Sequence, residues 1–173
     1  MARFVFLHGF TQSHHHWHAA AHLLREQVDP TGTLAFVDLP GHGLAADDTS
    51  GSIDDVGPRL TRLAGRGTYV GYSMGGFGTC RIMGSEPRLF AAAIPVAGVS
   101  ASDVGELLRK PIWMFHAEDD AVVPVAGARE FAEQMKRNKQ FKYTESKTGG
   151  HGVVGQVFND PETHEWLFAQ SLK

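Results

Sequence analysis

Six short apolar runs, most of them unbroken rather than alternating, constrain this chain more than any other feature. They are Arg3–Leu7, Thr33–Val37, Thr68–Tyr72, Ala91–Val99, Pro111–Phe115 and Phe141–Thr144. A strand that is apolar on both faces must be covered on both, as a parallel strand between helices is. The stretches between the runs supply those helices. Trp17, Ala21, Leu24 and Val28 recur at helical spacing, as do Ala128, Phe131, Ala132 and Met135, and each set makes one buried stripe. Asp160-Pro161 reads as an N-cap followed by proline at the first helical position, opening a last helix that buries Trp166 and Leu167. No fixed-period repeat is present. The order strand, helix, strand, helix predicts an α/β three-layer sandwich: a mostly parallel central sheet of about six strands, helices on both faces and right-handed crossovers. At roughly 150 residues per domain, the 173 residues are expected to form one domain, 1–173. Pro95 is awkward inside a central strand. Residues 41–52, rich in Gly, Asp and Ser, read as a loop.

Composition narrows the function classes. Net charge is −3 with scattered basic residues, so nucleic acid is not expected as a partner, and the Lys136 to Lys147 stretch reads as a solvated face. No run approaches the 18 apolar residues of a membrane span, and Phe4-Val5-Phe6-Leu7 is too short for a signal-peptide core. A cytoplasmic protein without a membrane partner is the expectation. The single cysteine, Cys80, leaves no internal disulfide and no cysteine-rich zinc site. Asp47, Asp48, Asp54 and Asp55 lack the alternating spacing of a calcium loop and read as solvated. The 20 glycines exceed the dozen or so that average usage of about 7% would supply. Several of them flank the residues that could do chemistry.

Gly71-Tyr72-Ser73-Met74-Gly75 is G-x-S-x-G, directly after one apolar run and directly before a helical stretch reaching about Glu86. A turn that forces serine into a strained conformation needs neighbours without side chains, and Gly71, Gly75 and Gly76 qualify. Such a turn lifts the hydroxyl above the strand ends, at a helix N-terminus that favours developing negative charge. A serine needs a base at pH 7, and in this fold class acid and histidine follow the serine in that order. The run Pro111–Phe115 leads into Glu118, Asp119 and Asp120, and Phe141–Thr144 leads into the glycine-framed His151. Both loops leave the carboxyl ends of strands, where open α/β sheets keep their sites. Upstream, His8-Gly9-Phe10 ends the first run, and the backbone N–H groups of Phe10 and Met74 could form an oxyanion hole.

These blocks, His8-Gly9-Phe10, Asp38-Leu39-Pro40-Gly41-His42-Gly43, Gly71 to Gly76, Asp120-x-x-Val123-Pro124 and Gly150-His151, resemble those of α/β-hydrolases in family order over nearly the whole chain. From Ser73 onward the chain is similar to the phospholipase/carboxylesterase and predicted-peptidase branch. The first 43 residues look more like lid-bearing esterases and the menaquinone-pathway synthase that eliminates pyruvate. The resemblance implies Ser73 as nucleophile, His151 as base and Asp120 as acid, with Asp119 the rival that the D-x-x-V-P register disfavours. His8, Gly9, Tyr72 and His42 are the expected substrate-side residues, His42 buttressing the oxyanion loop. Ala117 stands where the family usually has Gly, and the two leading strands of the full fold are missing. Ser100 to Lys110 is too short for a cap, so a minimal, lidless hydrolase is expected.

The resulting expectation is a carboxylesterase that cleaves short-chain esters with no cofactor and has a small-molecule ester as its partner. A lyase or synthase using the same triad as a base, and a non-catalytic small-molecule sensor, are the alternatives. Ten histidines raise the question of metal. His14 with His18, and His18 with His22, are i, i+4 pairs, but no H-E-x-x-H motif accompanies them. They are expected to be surface histidines above Phe10, without a metal, and His164 is expected on an exposed helix face.

Overall fold

A computed structural model describes residues 3–9, 12–27, 32–49, 64–99 and 104–170. Six strands form one sheet: β1 (Arg3–Leu7), β2 (Thr33–Val37), β3 (Gly67–Tyr72), β4 (Phe90–Val96), β5 (Ile112–Ala117) and β6 (Phe141–Ser146). Their order is β2-β1-β3-β4-β5-β6, and every neighbouring pair is parallel. The helices are α1 (His18–Gln27), α2 (Met74–Ser85), α3 (Val125–Met135), α4 (Val154–Asn159) and α5 (Pro161–Ala169). The chain steps outward from β1 to β2, then crosses back and steps outward through β3 to β6. Strand order therefore reverses between β1 and β3, the crevice where such sheets bind ligands.

The unbroken apolar runs are explained by two cores. Side chains alternate along a strand. Phe4 and Phe6 of β1, Val70 of β3 and Trp113 and Phe115 of β5 therefore pack with Trp17, Leu24, Phe158 and Leu167 on one face. Val5, Leu7, Tyr69, Ile112 and Met114 pack with Cys80, Met83, Phe131 and Met135 on the other. The α3 stripe is as expected, with Ala128, Phe131 and Met135 buried and Ala132 packed against them. Of the first stripe, Trp17, just before α1, and Leu24 within it are buried, Ala20 rather than Ala21 packs into the core, and Val28 lies outside the described residues.

Two details differ from the sequence expectation, the end of β4 and the burial of His164, while Pro95 keeps the place in the strand that its run gave it. β4 runs from Phe90 to Val96 rather than to Val99, because Ala97 turns the chain with φ 50°. Pro95 stays in this central strand at the cost of one rung: the amides of Ala93 and Ala97 donate to Pro111 and Phe115 of the β5 side, and the residue between them has no N–H to give. His164 is buried, not exposed, its Nε2 2.9 Å from the carbonyl oxygen of Phe158. It shares the inner stripe of α5 with Thr163 and Leu167, and the α4 carbonyl satisfies its ring. Asp160 caps α5 through the amide of Glu162, as its sequence predicts.

The connection from β4 to β5 carries a short turn at Leu107–Arg109, and no cap domain is present among the described residues. Within 41–52, a turn at Gly43–Ala45 is held by hydrogen bonds from Gly41 to Ala45 and from Ala45 to His42, while residues 50–52 lie outside the described set, as do Asp54 and Asp55. No helix among the described residues is long and apolar enough to cross a membrane.

Candidate active site

Ser73 joins β3 to α2 with φ 54° and ψ −117°, a conformation an L-residue adopts only under constraint, at a cost of order 1–3 kcal/mol. The constraint is visible on both sides. The Ser73 amide donates to the Val96 carbonyl at 2.8 Å, and the Ser73 carbonyl accepts from Gly76 and Phe77. A methyl group at Gly75 would fall on the carbonyl oxygens of Leu7 and His8, and one at Gly71 on the Gly75 carbonyl and the Thr79 hydroxyl. The G-x-S-x-G pattern is thus a packing requirement: α2 can approach the ends of β1 and β3 closely enough only through glycine. Met74 is the first residue of α2, so its N–H has no partner within the helix and points with the dipole toward the crevice.

The partners arrive from the ends of β5 and β6. His151 Nε2 lies 2.9 Å from Ser73 Oγ, and His151 Nδ1 lies 2.8 Å from Asp120 Oδ2. Asp120 Oδ1 accepts from the amides of Val122 and Val123 at 2.8 and 2.9 Å. Burial of Asp120 works to raise its pKa, but the hydrogen bonds from His151, Val123 and Val122 outweigh that, and the carboxyl is held below its ordinary range. An ionised carboxylate only accepts, so His151 carries its proton on Nδ1 and turns the lone pair of Nε2 to the serine. Asp119 faces elsewhere: its Oδ1 takes the Gly150 amide at 2.7 Å and ties the histidine loop to the acid loop.

One residue of this site was not singled out from the sequence. His116, 1% exposed, reaches Val123 O at 2.9 Å and Asp120 Oδ2 at 3.3 Å with Nε2, so it braces the acid loop from beneath. Its i, i+4 spacing to Asp120 is the only trace in the sequence. Its Nδ1 is buried without a hydrogen-bond partner.

The β1 and β2 ends form the opposite wall. His8 was expected to meet substrate, but it is fully buried and both ring nitrogens are engaged. Leu39 N–H donates to Nε2 at 3.0 Å, which leaves the proton on Nδ1 to bond the Gly9 carbonyl at 2.7 Å. His8 therefore clamps the two strand exits together. Burial pushes its pKa down, against the hydrogen bond to Gly9. His42 sits beside it, ring centroids 5.0 Å apart, with Nδ1 2.9 Å from Pro40 O. Gly9 packs against Tyr72 and Ser73, and its amide donates to Gln12 Oε1 at 3.0 Å. The Tyr72 ring lies 5.2 Å from that of His151. Phe10 lies outside the described residues. A cavity of about 320 Å³, counting its open mouth, is lined by Gln12, His16, Trp17, Tyr72 and Val154. Its lining comes from the turn after β1, the residue before Ser73 and the helix after His151.

With serine, imidazole and carboxylate in line at the N-terminus of α2, the arrangement can activate a hydroxyl toward an acyl carbon. A profile of the alpha/beta hydrolase family matches residues 4–171. The chain belongs to that family. This α/β-hydrolase is 30% identical over 97 residues to the biotin biosynthesis bifunctional protein BioHC of Teredinibacter turnerae, a match covering 54% of this chain and 16% of that one. It is 29% identical over 100 residues to a pimeloyl-[acyl-carrier protein] methyl ester esterase of Xanthomonas campestris pv. campestris, covering 56% and 40%. The hydrolase thus spans less than half the length of these curated relatives in the matched region. Among solved structures, a thermostable esterase superposes with a TM-score of 0.74 at 28% identity, over 99% of this chain and 55% of that one. The Paleococcus ferrophilus monoacylglycerol lipase, at 14% identity and a TM-score of 0.71, covers 97% and 94% and is alike in fold.

Proposed function

We propose that this α/β-hydrolase cleaves carboxylic esters with short acyl groups through an acyl-enzyme on Ser73. The observation that carries the reading is the unbroken relay from Asp120 Oδ2 through both nitrogens of His151 to Ser73 Oγ, at 2.8 and 2.9 Å. Ser73 Oγ attacks the acyl carbon while its proton passes to His151 Nε2. The imidazolium is stabilised by Asp120, and the oxyanion is met by the N–H of Met74 at the start of α2. Collapse expels the alcohol, which takes the proton from His151. Water then repeats the sequence on the acyl-serine and releases the acid. Relatives named as an esterase and a methyl ester esterase support an ester as the scissile group. Tyr72, Gly9 and Gln12 would border the bound ester, with His42 supporting the clamp behind them.

The short-chain preference follows from the 11 residues Ser100 to Lys110 between β4 and β5, too few for a cap over the site. Methylenes left in water gain little of the roughly 0.8 kcal/mol that each would gain on full burial. Rates on p-nitrophenyl esters of increasing length test the proposal, together with labelling by a fluorophosphonate. The expected result is a label lost in Ser73→Ala and an optimum at roughly two to six acyl carbons, given that burial term, with no jump at the aggregation concentration. Labelling without turnover of p-nitrophenyl acetate would move the reading to a lyase that uses the same base. No labelling at all would leave a sensor.

A further inference from the structure

The cavity wall carries a second cluster that ester hydrolysis does not use. Residues 14–17 form a 3-10 turn that runs straight into α1 at His18. The tighter turn changes which histidines meet. His14 and His15 have ring centroids 4.0 Å apart, His15 and His18 5.1 Å, and His14 and His18 6.1 Å. One nitrogen from each ring lies within 4.8 Å of one from each of the others, a grouping that among the described residues does not include His22. The helical pairing of His18 with His22, suggested by spacing alone, is therefore not the one that gathers.

The chemistry of His14 adds an independent observation. Its Nδ1 lies 2.6 Å from Asp38 Oδ2, and its backbone amide donates to Asp38 Oδ1 at 2.7 Å. Asp38 also accepts from the Leu44 amide at 2.9 Å, and its side chain is only 6% exposed. A carboxylate so placed accepts a hydrogen bond from the Nδ1–H of His14, which fixes the tautomer and leaves the lone pair on Nε2. Metal-bound histidines almost always have such a partner behind them, where it orients the ring and raises its basicity.

We propose that His14, His15 and His18 form a binding site for a divalent transition-metal ion of the zinc type, with Asp38 as the carboxylate behind His14. Three imidazoles select zinc, copper or nickel over calcium and magnesium, which take oxygen ligands. Zinc–nitrogen bonds of about 2.0–2.1 Å in a tetrahedron need the ligand atoms roughly 3.4 Å apart. His15 and His18 are exposed side chains, so rotation about their own bonds closes the remaining gap. Water takes the fourth position. The ion would pin the turn that presents His16 and Trp17 to the cavity, tying the shape of that wall to metal supply.

Calorimetric titration of the chelator-stripped protein with zinc chloride tests the site. One ion per chain is expected, with affinity lowered at least about tenfold in His15→Ala and in His18→Ala, the lower end of what even an outer partner is worth. His22→Ala and Ser73→Ala should bind as the parent does. Zinc should also raise Tm in the parent and not in the His15→Ala, His18→Ala double variant, because an ion bound only by the folded chain stabilises it by mass action. Absence of saturable binding, undiminished binding in the double variant, or an equal loss in His22→Ala would each overturn the proposal. Because Ser73→Ala removes hydrolysis without touching these rings, failure of the metal site and failure of the esterase reading are separable.

Discussion

On the β3 to β6 side of the crevice, the Asp120 side chain is wholly covered and three hydrogen bonds, from His151, Val122 and Val123, hold its two oxygens, so the relay to Ser73 has one geometry. On the β1 and β2 side, the side chains of His8 and Asp38 are also covered at the base, yet His14, which Asp38 holds, and its neighbours His15, His16 and His18 lie partly or fully in solvent. The first side is built from strand ends and glycines packed on carbonyls. The second is built from a short 3-10 turn standing on one carboxylate. Reaction geometry tolerates errors of roughly 0.5 Å, and such a constellation has to rest on rigid elements. A wall that selects ligands can be looser. The two sides therefore predict different kinetic signatures: losses in turnover from one, losses in substrate binding or stability from the other.

The largest effect is expected from Ser73→Ala, which removes the proposed nucleophile and leaves the turn, since the hydroxyl is not a packing group. Turnover of p-nitrophenyl acetate should fall by about a million-fold with an unchanged circular dichroism spectrum. Retention of more than a tenth of the activity would remove Ser73 from the reaction. Asp120→Asn comes next, at about 10⁴, because an amide can no longer hold the His151 tautomer. Asp119→Asn keeps an oxygen for the Gly150 amide and should cost far less. Kinetics of the two variants side by side decide between the carboxylates, and the reverse ranking would break the relay described above.

The rigid side was also the legible one. Ser73, Asp120 and His151 stand in a motif order with a physical basis, each shortly after an apolar run that forms a strand. What escaped was set by tertiary partners. His164 looks polar and surface-bound until the Phe158 carbonyl is brought beneath it. The short α4 follows the histidine loop with Gly155 in its interior, too weak a helical signal to read. Pro95 is only awkward, not missed: its run reads as a strand, but a sequence does not show that β5 can forgo one donor there. Asp38 and His14 are 24 residues apart, and only the pairing of β1 with β2 makes them neighbours.

A smaller effect should come from the looser wall. His16→Ala removes a cavity-lining ring that is not itself a member of the relay. Such a contact is expected to serve ground state and transition state alike, so KM should rise severalfold while kcat stays within about twofold. A matching fall in kcat would show that the wall shapes the reacting geometry, and the contrast between the two sides would fail.

The smallest effect is a slope in stability against pH, and it singles out His8. Its ring is fully buried and neutral, with burial as the main cause of a pKa below 6.5, helped by His42 and His16 and opposed by the Gly9 hydrogen bond and by Asp38. Between that lowered value and 6.5 the unfolded chain binds a proton that the folded chain does not, so stability must rise with pH through the window and level off above it. Asp38 and Asp120 do not act in that range. Both are held below 3.8, in each case against burial, by hydrogen bonds from Leu44 and His14 or from His151, Val123 and Val122. Their contributions are complete above the ordinary carboxylate value and are lost only as pH falls through the lowered one. Thermal melts of the parent and of His8→Asn between pH 5 and 7 isolate the histidine, because every other group cancels in the comparison. The variant should melt lower throughout, since the clamp from Leu39 to Gly9 is weakened, but with a flatter slope. A difference of about 1 kcal/mol across the window would read as roughly 2–4 °C in Tm for a chain of this size. Parallel curves would mean that His8 takes up its proton as readily folded as unfolded, and that the base of this wall yields where the Asp120 side does not.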